Sequence, residues 1–138
     1  MASAHYNLAL QEFWKGSLGD ITSAGITIKC RLLRTSAYVF SQAHQFASSL
    51  PAAIVGDVTL GSKAANGAGA DPGCLDAADA TYTAVPAGAA IDALAVFKDT
   101  GSPATSPLLF YIDGFTVTPN GGDITIQWAN AAPFIAKL

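Results

Sequence analysis

Residues able to do chemistry are sparse in this sequence, and their spacing brings few of them together. Nucleophilic catalysis needs a Ser or Cys, a His and an orienting acid within reach of one another. The chain has two histidines, His5 and His44, and two cysteines, Cys30 and Cys74. His44 stands among Ser41, Gln42 and Gln45, the setting of an ordinary hydrogen-bonding loop residue, and His5 lies close to the start of the chain. There is no G-x-S-x-G elbow, and neither cysteine has a recognisable catalytic setting. Acid catalysis on glycans needs a pair of carboxylates, one with a raised pKa. Glu12 is the sole glutamate, and Asp71, Asp76 and Asp79 form the only local acidic grouping. Three aspartates in a Gly-Ala-Pro loop could offer oxygen ligands to Ca²⁺, yet the D-x-[DN]-x-[DN]-G series is missing and a solvated, strand-terminating loop is the simpler reading. No Cys/His spacing of the zinc type occurs, and the Gly-rich stretch Asn66 to Gly73 has no lysine to reach a phosphate. Trp14 and Trp128 are candidates for stacking on a sugar ring, but Trp128 alternates with Ile124 and Ile126 as a core residue does. The expectation is a protein that is not an enzyme, with no catalytic residues, no metal and no cofactor.

Composition points the same way. Hydrophobic residues make up 51% of the 138, whereas Asp, Glu, Lys and Arg together reach 12%, about half the usual charged share of a soluble domain. Two readings follow: part of the exterior is covered by other subunits, or small Ala side chains sit harmlessly at the surface. A net charge of -3 gives no footprint for nucleic acid, since phosphate binding is driven by clustered Lys and Arg. The one basic cluster, Lys29, Arg31 and Arg34, alternates with Ile26, Ile28, Cys30 and Leu32, a pattern that assigns the charges to a solvent face. No apolar run reaches the roughly 18 residues of a membrane span, and the N-terminus lacks the charged and apolar segments of an export signal. Two cysteines allow at most one bridge, and each reads better as a small buried hydrophobe in a reducing assembly compartment.

The elements that must position these residues are mostly strands. Tyr6, Leu10, Phe13, Trp14 and Ser17 recur at three- and four-residue steps, and Gly16 and Gly19 follow, which predicts a short helix or an ordered arm over residues 1–19. Such an arm packs on its own domain or reaches a neighbour. Ile26 to Leu32 alternates strictly and is the clearest half-buried strand. Ser36 to Leu50 fits a short helix or a wandering loop ended by Pro51. Further strands are expected over Ile54 to Lys63, Leu75 to Val85, Ile91 to Lys98, Leu108 to Asp113, Ile124 to Ala129 and Phe134 to Leu138, punctuated by Pro86-Ala87-Gly88, by Asp99 to Pro103 and by Thr118 to Asp123. Seven or eight short strands in one chain of this length predict a single all-β domain, residues 1–138, with a jelly-roll-like antiparallel β-sandwich over 20–138.

Two longer blocks carry a resemblance. The segments VFKDTGSPATSPLLFYIDGFTVTPNGGDITIQWA (Val96 to Ala129) and GITIKCRLLRTSAYVFSQAHQF (Gly25 to Phe46) resemble small virion proteins of tailed bacteriophages. Within that group they are most similar to the capsid cement, or decoration, proteins of short-tailed phages such as one of Bordetella. The resemblance implies a jelly roll on the outside of a shell of major capsid protein, with cement subunits paired as homodimers at two-fold positions and tying capsomers together. It implies a virion location after assembly in the host cytoplasm, and no direct contact with nucleic acid or membrane. Tyr6, Phe13 and Trp14 are the candidate partner-interface residues. A different virion component, such as a neck, tail or carbohydrate-binding receptor domain, is the alternative. These motifs are strand and loop patterns without a catalytic signature, so they identify the group more closely than the place in the particle.

Overall fold

The strongest alternating and apolar stretches of the sequence meet in one sheet. A computed structural model of the chain describes residues 2–66, 74–128 and 136–137. Strands β2 (Ile28–Leu33), β7 (Ile91–Lys98) and β8 (Leu108–Val117) pair antiparallel at its centre. Edge strands β1 (Ala2–His5) and β3 (Val58–Thr59) complete the order β1-β8-β7-β2-β3. Two smaller antiparallel sheets accompany it: β4 (Ala64–Asn66), β5 (Cys74–Asp76) and β10 (Ala136–Lys137), and the pair β6 (Ala80–Tyr82) and β9 (Ile124–Ile126). The chain is all-β and sandwich-like, with one α-helix among the described residues, α1 (Asn7–Lys15).

Register shows why the central strands are so apolar. Side chains at paired positions share a face, so Cys30, Val96 and Phe110 lie together, as do Leu32, Leu94 and Ile112. Tyr82 of β6 reaches this face and donates its hydroxyl to the Cys30 carbonyl at 2.6 Å and to Sγ at 2.9 Å, which docks the β6–β9 pair over it. The opposite face carries Arg31, Ala95 and Tyr111 in register. It is covered too: Phe40 stacks on Tyr111 with ring centroids 4.5 Å apart, and Asp57 holds Arg31. Both faces being covered, Ala93 through Phe97 are all buried. Alanines at 93 and 95 leave room for a covering loop where larger residues would collide.

This arrangement corrects one reading of the charges. Arg31 lies under the covering segment rather than on a solvent face, its side chain 14% exposed and that of Asp57 15%. A guanidinium can be placed there because a carboxylate takes it bidentately, through Nε and Nη2 at 2.8 Å each, while Nη1 donates to the Pro51 carbonyl.

Several element boundaries also differ from the sequence pattern. Ile91 to Lys98 forms as expected, but Leu75 to Val85 is split into β5 and β6. Asp79 is turned aside in the break, where its carboxylate accepts from the Trp128 amide. Ile54 to Lys63 contracts to the two residues of β3. Ser36 to Leu50 is loop and turn, with a single 3-10 turn at Ala47–Ser49 before Pro51. Ten strands are present among the described residues, several of only two or three residues. Most of the loop Asn66 to Gly73 (67–73), with Asp71, and most of the last predicted strand lie outside the described residues.

The N-terminal segment belongs to the main sheet. β1 pairs along β8 from Ala2 opposite Asp113 to His5 opposite Phe110. The chain then turns at Tyr6, which has an extended backbone (φ -83°, ψ 144°), and enters α1. Gly16 closes the helix at φ 70°, a conformation that glycine adopts without a Cβ penalty, and its amide bonds the Phe13 carbonyl at 3.1 Å.

Candidate interaction surface

The three residues expected to form a partner interface part company in the structure. Tyr6 is fully buried and therefore is not presented to a partner. It precedes the helix, so the helical period that groups it with Trp14 does not apply to it; its extended backbone sends the ring inward against Phe40 at 5.3 Å. Phe13 is partly buried against the core. Trp14 is 89% exposed. A helix that anchors itself through Tyr6, Ala9 and Phe13 thus holds an indole in solvent on its adjoining side, with Leu10 one turn before it and half-buried.

A second apolar side chain, Val39, is 82% exposed in the loop that follows β2. Sequence reasoning missed it, although a signal was there. Tyr38 and Phe40 on either side point into the core, and in an extended segment the residue between two inward ones faces out. The same loop meets the helix. The Asn7 amide donates to the Gln42 carbonyl at 2.9 Å, and a cleft of about 430 Å³ lies between the two, lined by Asn7, Leu8, Gln11, Ala43 and Gln45. Neither acid nor base lines that cleft.

Beneath the loop runs a chain of hydroxyls. Tyr6 Oη is 2.9 Å from Tyr38 Oη, which is 2.9 Å from His44 Nδ1. Burial pushes the Tyr6 hydroxyl far above the usual tyrosine range, and its bond to Tyr38 adds to this, so it stays neutral. Tyr38 is also raised by burial.

The other polar concentration is a cleft of about 330 Å³ lined by Lys29, Arg31, Asp57, Phe97, Asp99 and Ser106 among others. Each charge in it is already matched. Lys29 Nζ lies 2.7 Å from Asp99, Arg31 is held by Asp57, and the guanidinium carbon sits 5.7 Å from the centre of the Phe97 ring. The Lys29 ammonium, then the Gly101 amide, hold the Asp99 carboxyl below the usual carboxylate range. A cleft whose cations and carboxylates neutralise one another offers little to a charged ligand.

The remaining candidates for chemistry do not converge. Cys30 is buried on the far face of the sheet from His44's loop, and burial pushes its thiol up to about 12, which leaves no thiolate at neutral pH. Asp76 accepts from the Ala77 amide and Asp79 from that of Trp128. Trp128 is a core residue, its indole N–H donating to the Ala78 carbonyl at 3.0 Å. Among the described residues no three His, Cys, Asp or Glu side chains are grouped to hold a metal ion. No helix among them is long and apolar enough to cross a membrane.

Comparison with protein-family models, curated proteins and solved structures gives no match to this chain.

Proposed function

We propose that the chain is a capsid cement protein of a tailed bacteriophage, bound to the outside of the major capsid protein shell and stabilising the head without catalysing a reaction. The observation that carries this reading is Trp14: a large indole, 89% exposed, on a helix whose other side is fixed in the fold. An aromatic on a fixed helix has only two side-chain torsions to lose on docking and gains its full apolar burial, the pattern of an interface anchor. The low charge of the chain suits a surface that is largely covered in an assembly, and the resemblance of Gly25 to Phe46 and Val96 to Ala129 to phage cement proteins supplies the partner.

A subunit that binds the assembled shell and not its free parts stabilises the shell by mass action. Copies paired as homodimers at two-fold positions would grip two neighbouring capsomers at once, so modest affinity per copy becomes avidity over the lattice. The test is density for this chain in intact particles, with its copy number per shell subunit. Ordered density on the capsid exterior, with Trp14 at the contact, is the expected result. A particle that carries the chain only at neck or tail, or does not carry it at all, refutes the assignment.

The same exposed indole favours one alternative, a carbohydrate-binding virion domain in which Trp14 stacks on a sugar. A glycan array separates the two, since a cement protein gives no saturable glycan binding.

A further inference from the structure

Resting on the reading of Trp14 as an interface anchor, we infer that the cleft between α1 and the loop at Ala43 to Gln45 receives a short, extended, uncharged segment of a partner polypeptide. The side-chain amides of Asn7, Gln11 and Gln45 bond the backbone of that segment.

The lining of the cleft selects the chemistry of its occupant. Asn7, Gln11 and Gln45 are exposed, so each presents an acceptor carbonyl and a donor N–H₂ to water, and Leu8 and Ala43 complete the cleft with apolar surface. A primary amide carries the same donor and acceptor as a peptide group, and it can therefore take an N–H and give one to a C=O. The walls are fixed before anything binds. The Asn7 backbone amide donates to the Gln42 carbonyl at 2.9 Å, and the Leu108 amide donates to that of Gln45 at 2.9 Å. A pre-formed site loses less freedom on binding than one that must be ordered.

Spacing along the helix selects an extended chain. Asn7 and Gln11 are four residues apart on α1, a rise of about 6 Å. Backbone groups on one edge of an extended chain recur at every second residue, about 6.6 Å. The two amides are thus placed to bond alternate residues of a segment that lies along the helix. Trp14 comes three residues after Gln11 on the same face, about 4.5 Å further. A side chain of the segment just beyond the Gln11 contact meets the indole, which joins the cleft and the exposed tryptophan into one surface.

Two other occupants fit less well. A charged segment would give up hydration in a cleft whose lining holds neither acid nor base. A neutral glycan would find no aromatic ring in the cleft to stack on, and would set its hydroxyls against Leu8 and Ala43.

The test pans a display library of random twelve-residue peptides on the full chain, with the double variant Gln11→Ala/Gln45→Ala as control. Both positions are exposed, so the control should keep the wild-type Tm to within a few degrees. Enriched peptides are expected to share an uncharged run with an apolar residue at one end, and to bind wild type roughly tenfold more tightly than the control. A second measurement needs no variant of the protein. N-methylation of an enriched peptide at alternate residues of the run should abolish binding to wild type, whereas methylation at the intervening residues should leave it, because one edge of the segment faces the amides. No enrichment, equal affinity for wild type and control, or methylation tolerated at every residue overturns the inference, as does saturable binding on a glycan array that the control loses. Intact particles separate this from the cement assignment. Density with Trp14 at the capsid contact and the cleft empty overturns the inference alone, whereas edge-selective peptide binding by a chain that no particle carries overturns the assignment alone.

Discussion

Replacing Trp14 by alanine separates an anchor from a core residue, because the two roles predict effects of different size in different assays. A tryptophan side chain offers about 200 Å² of surface, and with 89% of it exposed in the chain only about 20 Å² is removed from water by folding. At about 25 cal/mol per Å² the substitution costs the isolated protein about 0.5 kcal/mol, or a fall in Tm of about 2–3 °C for a domain of this size. The remaining surface, about 180 Å², is worth up to about 4.5 kcal/mol if a partner covers it completely, a little over three powers of ten in affinity. The assays are thermal unfolding of the purified protein and co-sedimentation with shells of the major capsid protein. Fluorescence provides an internal check, since Trp14 emits from water and Trp128, 5% exposed, from the core. The variant should lose the long-wavelength part of the emission and keep the rest. A Tm lowered by more than about 10 °C would mean that Trp14 is held by the fold, and unchanged co-sedimentation would remove it from the interface.

Three further outcomes follow from the interior. Asp57→Ala leaves the covered guanidinium of Arg31 without its bidentate partner and should cost about 2 kcal/mol in urea unfolding, whereas a change below about 0.5 kcal/mol would show that water replaces the carboxylate freely. Cys30, its thiol pushed up to about 12 by burial, should resist alkylation in the native protein at pH 8 and react once urea unfolds it; peptide mapping that finds native Cys30 labelled at the unfolded rate contradicts its burial. The carboxyls of Asp99, Asp92 and Asp20 are lowered, chiefly by Lys29, Thr35 and Thr22 respectively. A folded-state value below the unfolded one gives stability that is present above the usual aspartate range and is lost as pH falls through the folded value. Urea midpoints should therefore hold steady in that respect down to about pH 5 and drop below about pH 4. A midpoint that is flat from pH 5 to pH 2.5 would refute these bonds.

Local pattern and tertiary pairing divided the work of specifying this molecule. Where a segment's own residues dictate its period, the sequence was sufficient: Ile91 to Lys98 is a strand over the expected residues, β2 lies within two residues of the alternating run, and the glycine after Lys15 ends a helix. The placement of Trp128 in the core was legible for the same reason, since it continues the alternation of β9. The strand Ala2–His5 was not legible. ASAH alternates, but over only four residues and with no β-branched or aromatic side chain to mark a strand, and it is extended because β8 supplies a ladder for it. Nor could the sequence show that Arg31 is covered, because alternation reveals that a strand has two different faces and not that a distant carboxylate, Asp57, will close over one of them.

The candidate surface divides along the same line. Aromatic spacing located the helix and Trp14 from sequence alone, because side chains at helical steps are fixed relative to one another by the backbone period. Which of those aromatics faces water is decided by where the helix begins and what it lies on. Tyr6 stands one residue before the helix, and that single extended residue turns it into the core, where it meets Tyr38, itself bonded to His44, from a loop more than 30 residues away. Contacts across such a separation depend on how covered sheet faces pack, information that no local window of sequence contains.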